Sequence, residues 1–572
     1  MKALIADIET DGLQAKIIHC IGLKPLWEKE VETTIYADQP NHSPISEAFK
    51  KFEEADRIVF HNGLAFDVPT IIRLYGDSAL DQTKVFDTLV ASRLLSVEKQ
   101  SHSLAALGEE LGFQKTEFSD WSQFSDEMAI YCQNDVNVLH EIYETLKECE
   151  FTEALEMEHR FQWVMGLQQA HGFRLDVEAA QLLDAELRQE LSDIEVELQD
   201  RWQPIITERW SEKTGKRLKD GVEIFNPGSR KQISERLIAD YGWKPRQYTP
   251  TGVPKIDENI LKSLKYPEAQ KLARYFRVQK MLSQISEGDA AWLKLERDGY
   301  VHGAMRTIGA ATHRCAHHSP NMANVDKKDP RMREVWLPDP GQVLVGCDAD
   351  ALELVCLAHY LGKWDDGEYA KALLEGSKDN GTDVHSRTQR LLELPNRDAA
   401  KTAQYGYLYG ASDRKLAQIS REGGGVIKDG KEIRRRMNEG ITGLGKLSEA
   451  ISKRADVGYF KAIDGRHIKI KSPHSALNFL LQSTGAILMK TAVDIFHFDL
   501  ATEAGHVVNG YPKTFAYCAN VHDEQQITTD QKYADELGKM FCRAITLAAE
   551  RLKLRCPLSG TYSIGNNWKE TH

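Results

Sequence analysis

Short apolar runs alternate along the chain with long stretches of helical periodicity. KALIADIET (residues 2–10) and RIVFHN (57–62) are short and apolar and end in polar residues, which predicts strands. DEMAIYCQNDVNVLHEIYETLKE (126–148) carries apolar residues at helical spacing, so residues 1 to about 150 predict an α/β unit. From about 155 to 202 the pattern is amphipathic, in FQWVMGLQQAHGFRL and then VEAAQLLDAELRQELSDIEVELQDRW, and predicts an extended pair of helices. Residues 203–256 are rich in turn formers and charge (TGKRLKDG, FNPGS, YTPTGVP). A further helical block runs from ILKSL to MLSQI. A new region opens near 300, with a strand at VLVGCDA (343–349) and a late strand pair at FAYCANVHDE and QQITTD. Between these strand-rich parts, roughly 364–455, the chain is helical and charged, as expected for a helical subdomain inserted into a sheet domain. No internal repeat or low-complexity tract interrupts the pattern.

A chain of 572 residues is too long for one core and predicts three or four units. Apolar residues make up 41% and charged residues 28%, ordinary for a globular protein. There is no run of eighteen apolar residues, so no membrane span is expected. Asp7 and Glu9 interrupt what would be a signal-peptide core, which predicts a cytoplasmic location. Nine scattered cysteines without a CxxC pair predict reduced thiols, with no disulfide framework or zinc site. The net charge of −12 argues against a nucleic-acid partner only as a total, because binding depends on local patches. Basic clusters occur at Lys327-Lys328 with Arg331 and Arg333, at Arg434-Arg435-Arg436, and from Arg466 to Lys471. Taken singly each reads as a solvated face, and its meaning depends on whether it flanks a catalytic site.

Two carboxylate constellations change the picture. Asp7 and Glu9 lie two apart on a predicted strand and therefore share a face. Asp67 closes HNGLAFD, and Tyr131 and Asp135 lie four apart on a predicted helix. Each pattern alone is common by chance. Together, four acids and a tyrosine suit a pair of hard divalent cations, Mg²⁺ or Mn²⁺, clamping a phosphodiester, with Tyr131 orienting the attacking water. In the second constellation, Asp348 ends the strand VLVGCDA, while Asp523 and Glu524 sit where a hairpin tip is expected. Between them Arg397, Lys401, Tyr405 and Tyr409 recur every four residues and form one helical stripe. Two cations and two aromatics on a stripe fit a nucleoside triphosphate. The same pattern also fits an exposed helix with a wet and a dry side.

These motifs carry a specific resemblance. DIET, Asn62-x3-Phe66-Asp67 and Tyr131-x3-Asp135 resemble the three exonuclease motifs of the DEDDy superfamily. CDADALELVCLAH, RDAAKTAQYGYLYGAS and NVHDE resemble motifs A, B and C of the family A DNA polymerases, within them the replicative polymerases of T-odd podoviruses. Supporting matches are ATHRCAHHSPNMANV, DGRHIKIKSPHSALNFLLQSTGA, VEIFNPGSRKQI and GNNWKETH, so the resemblance covers nearly the whole chain. It implies an α/β multidomain fold, with an RNase H-like exonuclease domain (1–150) followed by a right-hand polymerase. That hand would comprise a thumb (151–299), palm (300–364 and 471–572) and fingers (365–470).

The resemblance further implies that Asp348 and Asp523 bind metal with help from the Ala349 carbonyl, and that Glu524 is an auxiliary acid. Glu353 would exclude a 2′-hydroxyl, His385 and Arg397 would contact the triphosphate, and Lys401 would neutralise it and donate a proton to pyrophosphate. Tyr405 would lie against the sugar and base, and Tyr409 would help position the templating base. Arg314, Asn478, Gln482 and His522 would touch the primer–template, largely in the minor groove, whose acceptors look alike for all correct pairs. Asp7, Glu9, Asp67 and Asp135 would hold the exonuclease metals. The implied cofactor is Mg²⁺, two per site, with Mn²⁺ able to substitute. The implied partners are primer–template DNA and dNTPs, with a phage helicase-primase and single-strand binding protein beyond them, in the cytoplasm of an infected bacterium.

Four departures qualify the match. Tyr405 stands where many relatives have Phe, which implies tolerance of dideoxynucleotides. Asp350 stands where a small polar residue is usual and is expected either to serve the metals from outside or to face solvent. Val355 replaces an Arg. His313 replaces a glycine, so a different loop backbone is expected there. The stretch TERWSEKTGKRLKDGV is far shorter than the thumb insertion of relatives that recruit thioredoxin, so no thioredoxin dependence is expected. Rival readings are a repair-type family A polymerase, an exonuclease with an inert polymerase-like domain, a single-subunit RNA polymerase and a non-enzymatic scaffold. Glu353 and the exonuclease motifs oppose the RNA polymerase. The intact acids, with Arg397 and Lys401, oppose the inert and scaffold readings.

Overall fold

A computed structural model describes every residue except 13, 29–31 and 114–116. The chain forms two compact units. The first comprises Met1–Gly172, Ala304–His317 and Pro338–His572, and the second Phe173–Gly303 and His318–Leu337.

The N-terminal part of the first unit is built on a five-stranded sheet in the order β3-β2-β1-β4-β5. Its strands are β1 (Ala3–Thr10), β2 (Ile18–Pro25), β3 (Thr34–Tyr36), β4 (Arg57–Phe60) and β5 (Val85–Asp87). β1 pairs antiparallel with β2 and parallel with β4. Its parity decides the architecture. Leu4, Ala6 and Ile8 enter one core with Phe52, Phe60 and Ile71. Ala3 and Ile5 enter another with Val136, Leu139 and Tyr143 of the helix Asp126–Leu146. Residues 7 and 9 continue the odd face and so point toward that helix. Gly22, opposite Asp7 in the ladder, permits this close packing, because a Cβ there would meet Cys132 Sγ at 2.8 Å.

The rest of the first unit is built on an antiparallel sheet of four strands. Val343–Ala349 lies between Glu524–Thr529 and Gly560–Gly565, and Phe515–Val521 flanks Glu524–Thr529. Six helices between Glu368 and Ser452 form the insertion that the charge and periodicity predict. Residues 473–503 form a helical stretch long and apolar enough on average to cross a membrane by length and composition, although polar residues interrupt it and no eighteen consecutive residues are apolar. However, 83% of its apolar window is buried inside the protein, so it is a core helix.

The second unit has its own sheet of Trp336–Leu337, Phe173–Leu175, Tyr300–Val301 and Glu296–Arg297. Its core gathers Leu198, Trp202, Phe225, Ile233 and Leu272. The stretch that reads as turns and charge contains a small hairpin, Ile205–Thr207 with Gly221–Glu223. The expected extended helical pair is present as Thr152–His171 and Val177–Arg201. It is not continuous, because Gly172 turns at φ 81° and the strand Phe173–Leu175 follows.

Candidate active sites

The first site forms where β1 meets the helix Asp126–Leu146 and the start of the helix Asp67–Tyr75. Glu9 and Asp67 are each 5% exposed. The turn before Asp67 is fixed by Asp87, whose carboxylate accepts from the amides of Asn62 at 3.0 Å and Leu64 at 3.1 Å. Asn62 itself adopts φ 66°. The Tyr131 ring packs against Phe118 and Trp121, both at 5.7 Å between centroids.

The electrostatics of this cluster are one-sided. Burial, then Glu9, Asp67 and Asp135, push Asp7 well above the ordinary carboxylate range. Burial, then Asp135 and Asp67, push Glu9 up to about 8. Burial, then Asp87, raises Asp67 to about 7. The same causes, burial first and then Asp135 and Glu9, raise the Tyr131 hydroxyl. Glu9 Oε1 is buried without a hydrogen-bond partner. Buried carboxylates that repel one another at neutral pH form a site fitted to cations.

The second site is assembled by strand register. Asp348 stands opposite Glu524 in the ladder, and the Ala349 amide donates to the Asp523 carbonyl at 3.2 Å. The tip of the hairpin is tight, with His522 at φ 60°. Asp348 and Asp523 are thereby brought together across two strand ends. Burial, then Asp523 and Glu524, raise Asp348 to about 7, and its Oδ1 is buried and unpartnered. Burial, then Glu353, raises Asp523. Glu524 differs from both. Its Oε1 accepts from Gln526 at 2.7 Å and Trp568 at 2.5 Å, and its Oε2 lies 2.7 Å from His572 Nδ1. Its oxygens are thus held by the protein.

The helix Arg397–Leu408 is capped by Asn396, which accepts from the Ala399 amide at 2.8 Å. Ala400, Ala403, Gln404, Tyr407 and Leu408 face inward, which leaves Arg397, Lys401, Tyr405 and Tyr409 on the outer stripe. Arg397 is held by Asp383 at 3.0 Å, and Lys401 is exposed. His385 donates from Nδ1 to Gln404 Oε1 at 2.8 Å, and its ring lies 6.2 Å from that of Tyr405. Burial raises the Tyr405 hydroxyl to about 12. Glu353, on the helix Leu352–Leu361, meets the stripe. It pairs with Arg314 at 3.2 Å and accepts from the Tyr409 hydroxyl at 3.0 Å. Arg314, His522 and Asp523 line one cleft. Asn478 and Gln482 lie one turn apart on the helix Ala476–Asp494, and Asn478 Oδ1 is buried and unpartnered.

The departures resolve individually. Asp350 is half-buried, and accepts from Ser559 Oγ at 2.7 Å and from Thr561 Oγ1 at 3.3 Å. Val355 is buried at 3% exposure in the core of its helix. The expectation of a changed backbone at His313 is corrected. Its φ is 57°, the left-handed region a glycine favours, so the turn is kept.

Sequence reasoning missed what lies beneath His313. Arg466, fully buried, donates to Glu158 at 2.5 Å, to Asp464 at 2.7 Å and to His313 Nδ1 at 3.3 Å. Lys490 donates to both Glu158 oxygens at 2.8 and 2.9 Å. The only sequence signal is the motif DGR, which looks like one more basic cluster.

The chain thus carries one acid cluster on a five-stranded mixed sheet and another on an antiparallel sheet beside a helix with a cationic stripe. Comparison with known proteins gives its family. The description "DNA polymerase family A" matches residues 191–570, and "RNase_H superfamily" matches residues 4–147. The chain belongs to the family A DNA polymerases. It is 29% identical to the DNA-directed DNA polymerase of Enterobacteria phage T3 and 30% identical to that of Escherichia phage T7, covering all of each chain. It is 25% identical to DNA polymerase I of Aquifex aeolicus over 99% of this chain and 95% of that one. A solved structure, the POL domain of Pol1 from M. smegmatis in complex with DNA primer-template and dNTP, shares the fold. Its TM-score is 0.77 at 17% identity, covering 100% of this chain and 96% of that chain.

Proposed function

We propose that this polymerase extends DNA primers at the Asp348–Asp523 site and edits their 3′ ends at the Asp7–Glu9–Asp67–Asp135 site, in phage genome replication. The observation that carries this reading is the presence, in one family A chain, of two separate clusters of buried, mutually repelling carboxylates at strand ends. The phage T3 and T7 relatives, each a DNA-directed DNA polymerase, favour replication over repair. Residues 1–150 read as the exonuclease domain, 151–299 as the thumb, 300–364 and 471–572 as the palm, and 365–470 as the fingers.

The orphaned oxygens of Glu9 and Asp348 and the carboxylate donors of each cluster fit Mg²⁺ or Mn²⁺, two per site. Asp348, Asp523 and the Ala349 carbonyl would hold one pair, and the four exonuclease acids the other. When bound, such ions neutralise phosphate charge and acidify the attacking hydroxyl or water. The chain's own residues do the rest. The primer 3′ oxygen bonds to the α-phosphorus as the α–β bridging bond breaks and pyrophosphate leaves. Arg397 and His385 seat the triphosphate, and exposed Lys401 neutralises the leaving pyrophosphate and gives it a proton. Glu353 closes against the 2′ position of the sugar, Tyr405 lies on the sugar and base, and Tyr409 positions the template. Arg314, Asn478, Gln482 and His522 read the minor groove. At the other site Tyr131 orients the water. A helicase-primase and a single-strand binding protein are further partners, in the cytoplasm of the infected cell. The short hairpin at 205–223 leaves thioredoxin without the long insertion it needs.

Metal removal tests this reading. Chelation should abolish both primer extension and 3′→5′ degradation of a mispaired primer, and Mg²⁺ should restore both. Either activity persisting in chelator would contradict it.

A further inference from the structure

The helix Arg397–Leu408 hides one polar side chain among apolar ones. Gln404 is fully buried on the inner face, with Ala400, Ala403, Tyr407 and Leu408. A buried amide is costly unless its polar atoms are bonded. Here Oε1 lies 2.8 Å from His385 Nδ1 and 3.4 Å from Thr388 Oγ1, and Nε2 donates to the Tyr369 hydroxyl at 2.5 Å. The amide thus ties the helices Glu368–Leu374 and Val384–Leu391 to its own. Asp383 adds a second tie. Its carboxylate accepts from the His385 amide at 3.0 Å and from Arg397 Nε at 3.0 Å, so His385 and Arg397 are presented together.

A carbonyl oxygen can only accept, so the imidazole must carry a proton on Nδ1 to meet Oε1. The bond made by one ring nitrogen settles the state of the other. In neutral His385, Nε2 is therefore a bare acceptor. Phosphate oxygens are acceptors too, so Nε2 meets a triphosphate favourably only once it is protonated. The titratable and charged groups facing the ring are Asp383 beside it, Arg397, Lys401 and Tyr405 on the next helix, and Tyr369 beyond the amide. The helix Gly430–Gly440 meets that of His385 at Leu391, and its Arg436 is turned to Glu432 and Glu393. Burial, with Arg397 and Lys401, outweighs Gln404 and Asp383 and holds the imidazole below its ordinary range, so the free protein carries it neutral above about pH 7. We propose that Gln404 is a positioning residue that fixes the tautomer of His385, so that each dNTP bound draws one proton from solvent onto Nε2. The tautomer stands on the hydrogen bonds alone. The proton uptake rests on the reading that His385 seats the triphosphate.

Two measurements on the full chain test the two halves. Nitrogen-15 NMR of histidine-labelled protein, at alkaline pH without ligand, reads the tautomer. The His385 signals, identified by their loss in His385→Gln, should place the proton on Nδ1, and in Gln404→Met it should move to Nε2. Single-turnover extension with Mg²⁺ and one correct dNTP reads the uptake. The dNTP concentration giving half the maximal rate should rise from about pH 6.5 to 8.5, by at most about tenfold per unit for one proton. The rise should vanish in His385→Gln, and also in Gln404→Met, where Nε2–H donates without uptake. A packing role alone would shift the affinity equally at every pH and leave the rise intact. Nε2–H in the unaltered chain, or an unchanged rise in Gln404→Met, would overturn the proposal. If Gln404→Met does not fold, Tyr369→Phe frees the amide and should lose the single Nδ1–H form, and an unchanged tautomer and rise there would overturn it equally. Nδ1–H with no rise, in a chain that extends primers, supports the tautomer lock and overturns the seating of the triphosphate on His385.

Discussion

At His313 the left-handed backbone costs an L-residue roughly 1–2 kcal/mol that glycine avoids. The side chain recovers part of this as a buried acceptor for Arg466. Burial, then Arg466 and Lys490, hold its imidazole well below the ordinary range, so it is neutral and can accept. His313→Ala loses the acceptor and keeps the strain, whereas His313→Gly loses the acceptor and relieves the strain. Chemical denaturation should therefore find the glycine variant more stable than the alanine variant by about 1 kcal/mol. The reverse order would mean that the turn does not need positive φ. Tyr405 makes a second residue-scale prediction. Its hydroxyl lies on the outer stripe beside the proposed sugar position and can stand in for a missing 3′-hydroxyl. Tyr405→Phe should lower dideoxynucleotide incorporation relative to deoxynucleotide by roughly tenfold or more, about the worth of one hydrogen bond to a charged group. Unchanged discrimination in single-nucleotide kinetics would exclude that role.

Glu158, Arg466, Lys490 and His313 tie a helix, a hairpin, a second helix and the loop carrying Arg314 into one buried cluster. Burial alone would raise Glu158, but Lys490 and Arg466 outweigh it and hold the carboxyl below its ordinary range. A depressed folded-state pKa gives stability that is present above the unfolded value, about 4.3, and is lost as pH falls through the folded value. Glu158→Gln should cost about 3–5 kcal/mol at pH 7, because it leaves two cations buried without their anion. The gap from the unaltered chain should shrink as pH falls below about 4. Urea melts at both pH values check this, and a gap that stays constant with pH would refute it. This cluster also marks where sequence legibility ends. β1 and the helix Asp126–Leu146 were readable because periods of 2 and 3.6 set which residues share a face, and the acids followed from that. The stripe from Arg397 to Tyr409 was readable for the same reason. Glu158 and Arg466 are 308 residues apart, and no local period links them. The partners of Asp350 were likewise out of reach of any local pattern, because Ser559 and Thr561 lie 209 and 211 residues away.

For the whole molecule, the net charge of −12 says little about its substrate, because function lies in two local fields. Each carboxylate cluster is built on its own sheet within the first unit. The resemblance carried the family, and the strand registers explain how Asp348 and Asp523 meet. What the sequence could not show was the division of labour among neighbours. Asp523 is raised by burial and by Glu353, whereas adjacent Glu524 is held by Gln526, Trp568 and His572. The central claim is that two independent sites perform opposite reactions on one primer end. The direct measurement compares Asp523→Ala with the double variant Asp7→Ala, Glu9→Ala, following extension of a matched primer and degradation of a mispaired one with Mg²⁺. The first variant should lose extension by at least roughly a hundredfold and retain degradation, and the second should do the opposite. Loss of both activities in either variant, with the fold intact by circular dichroism, would contradict the two-site account.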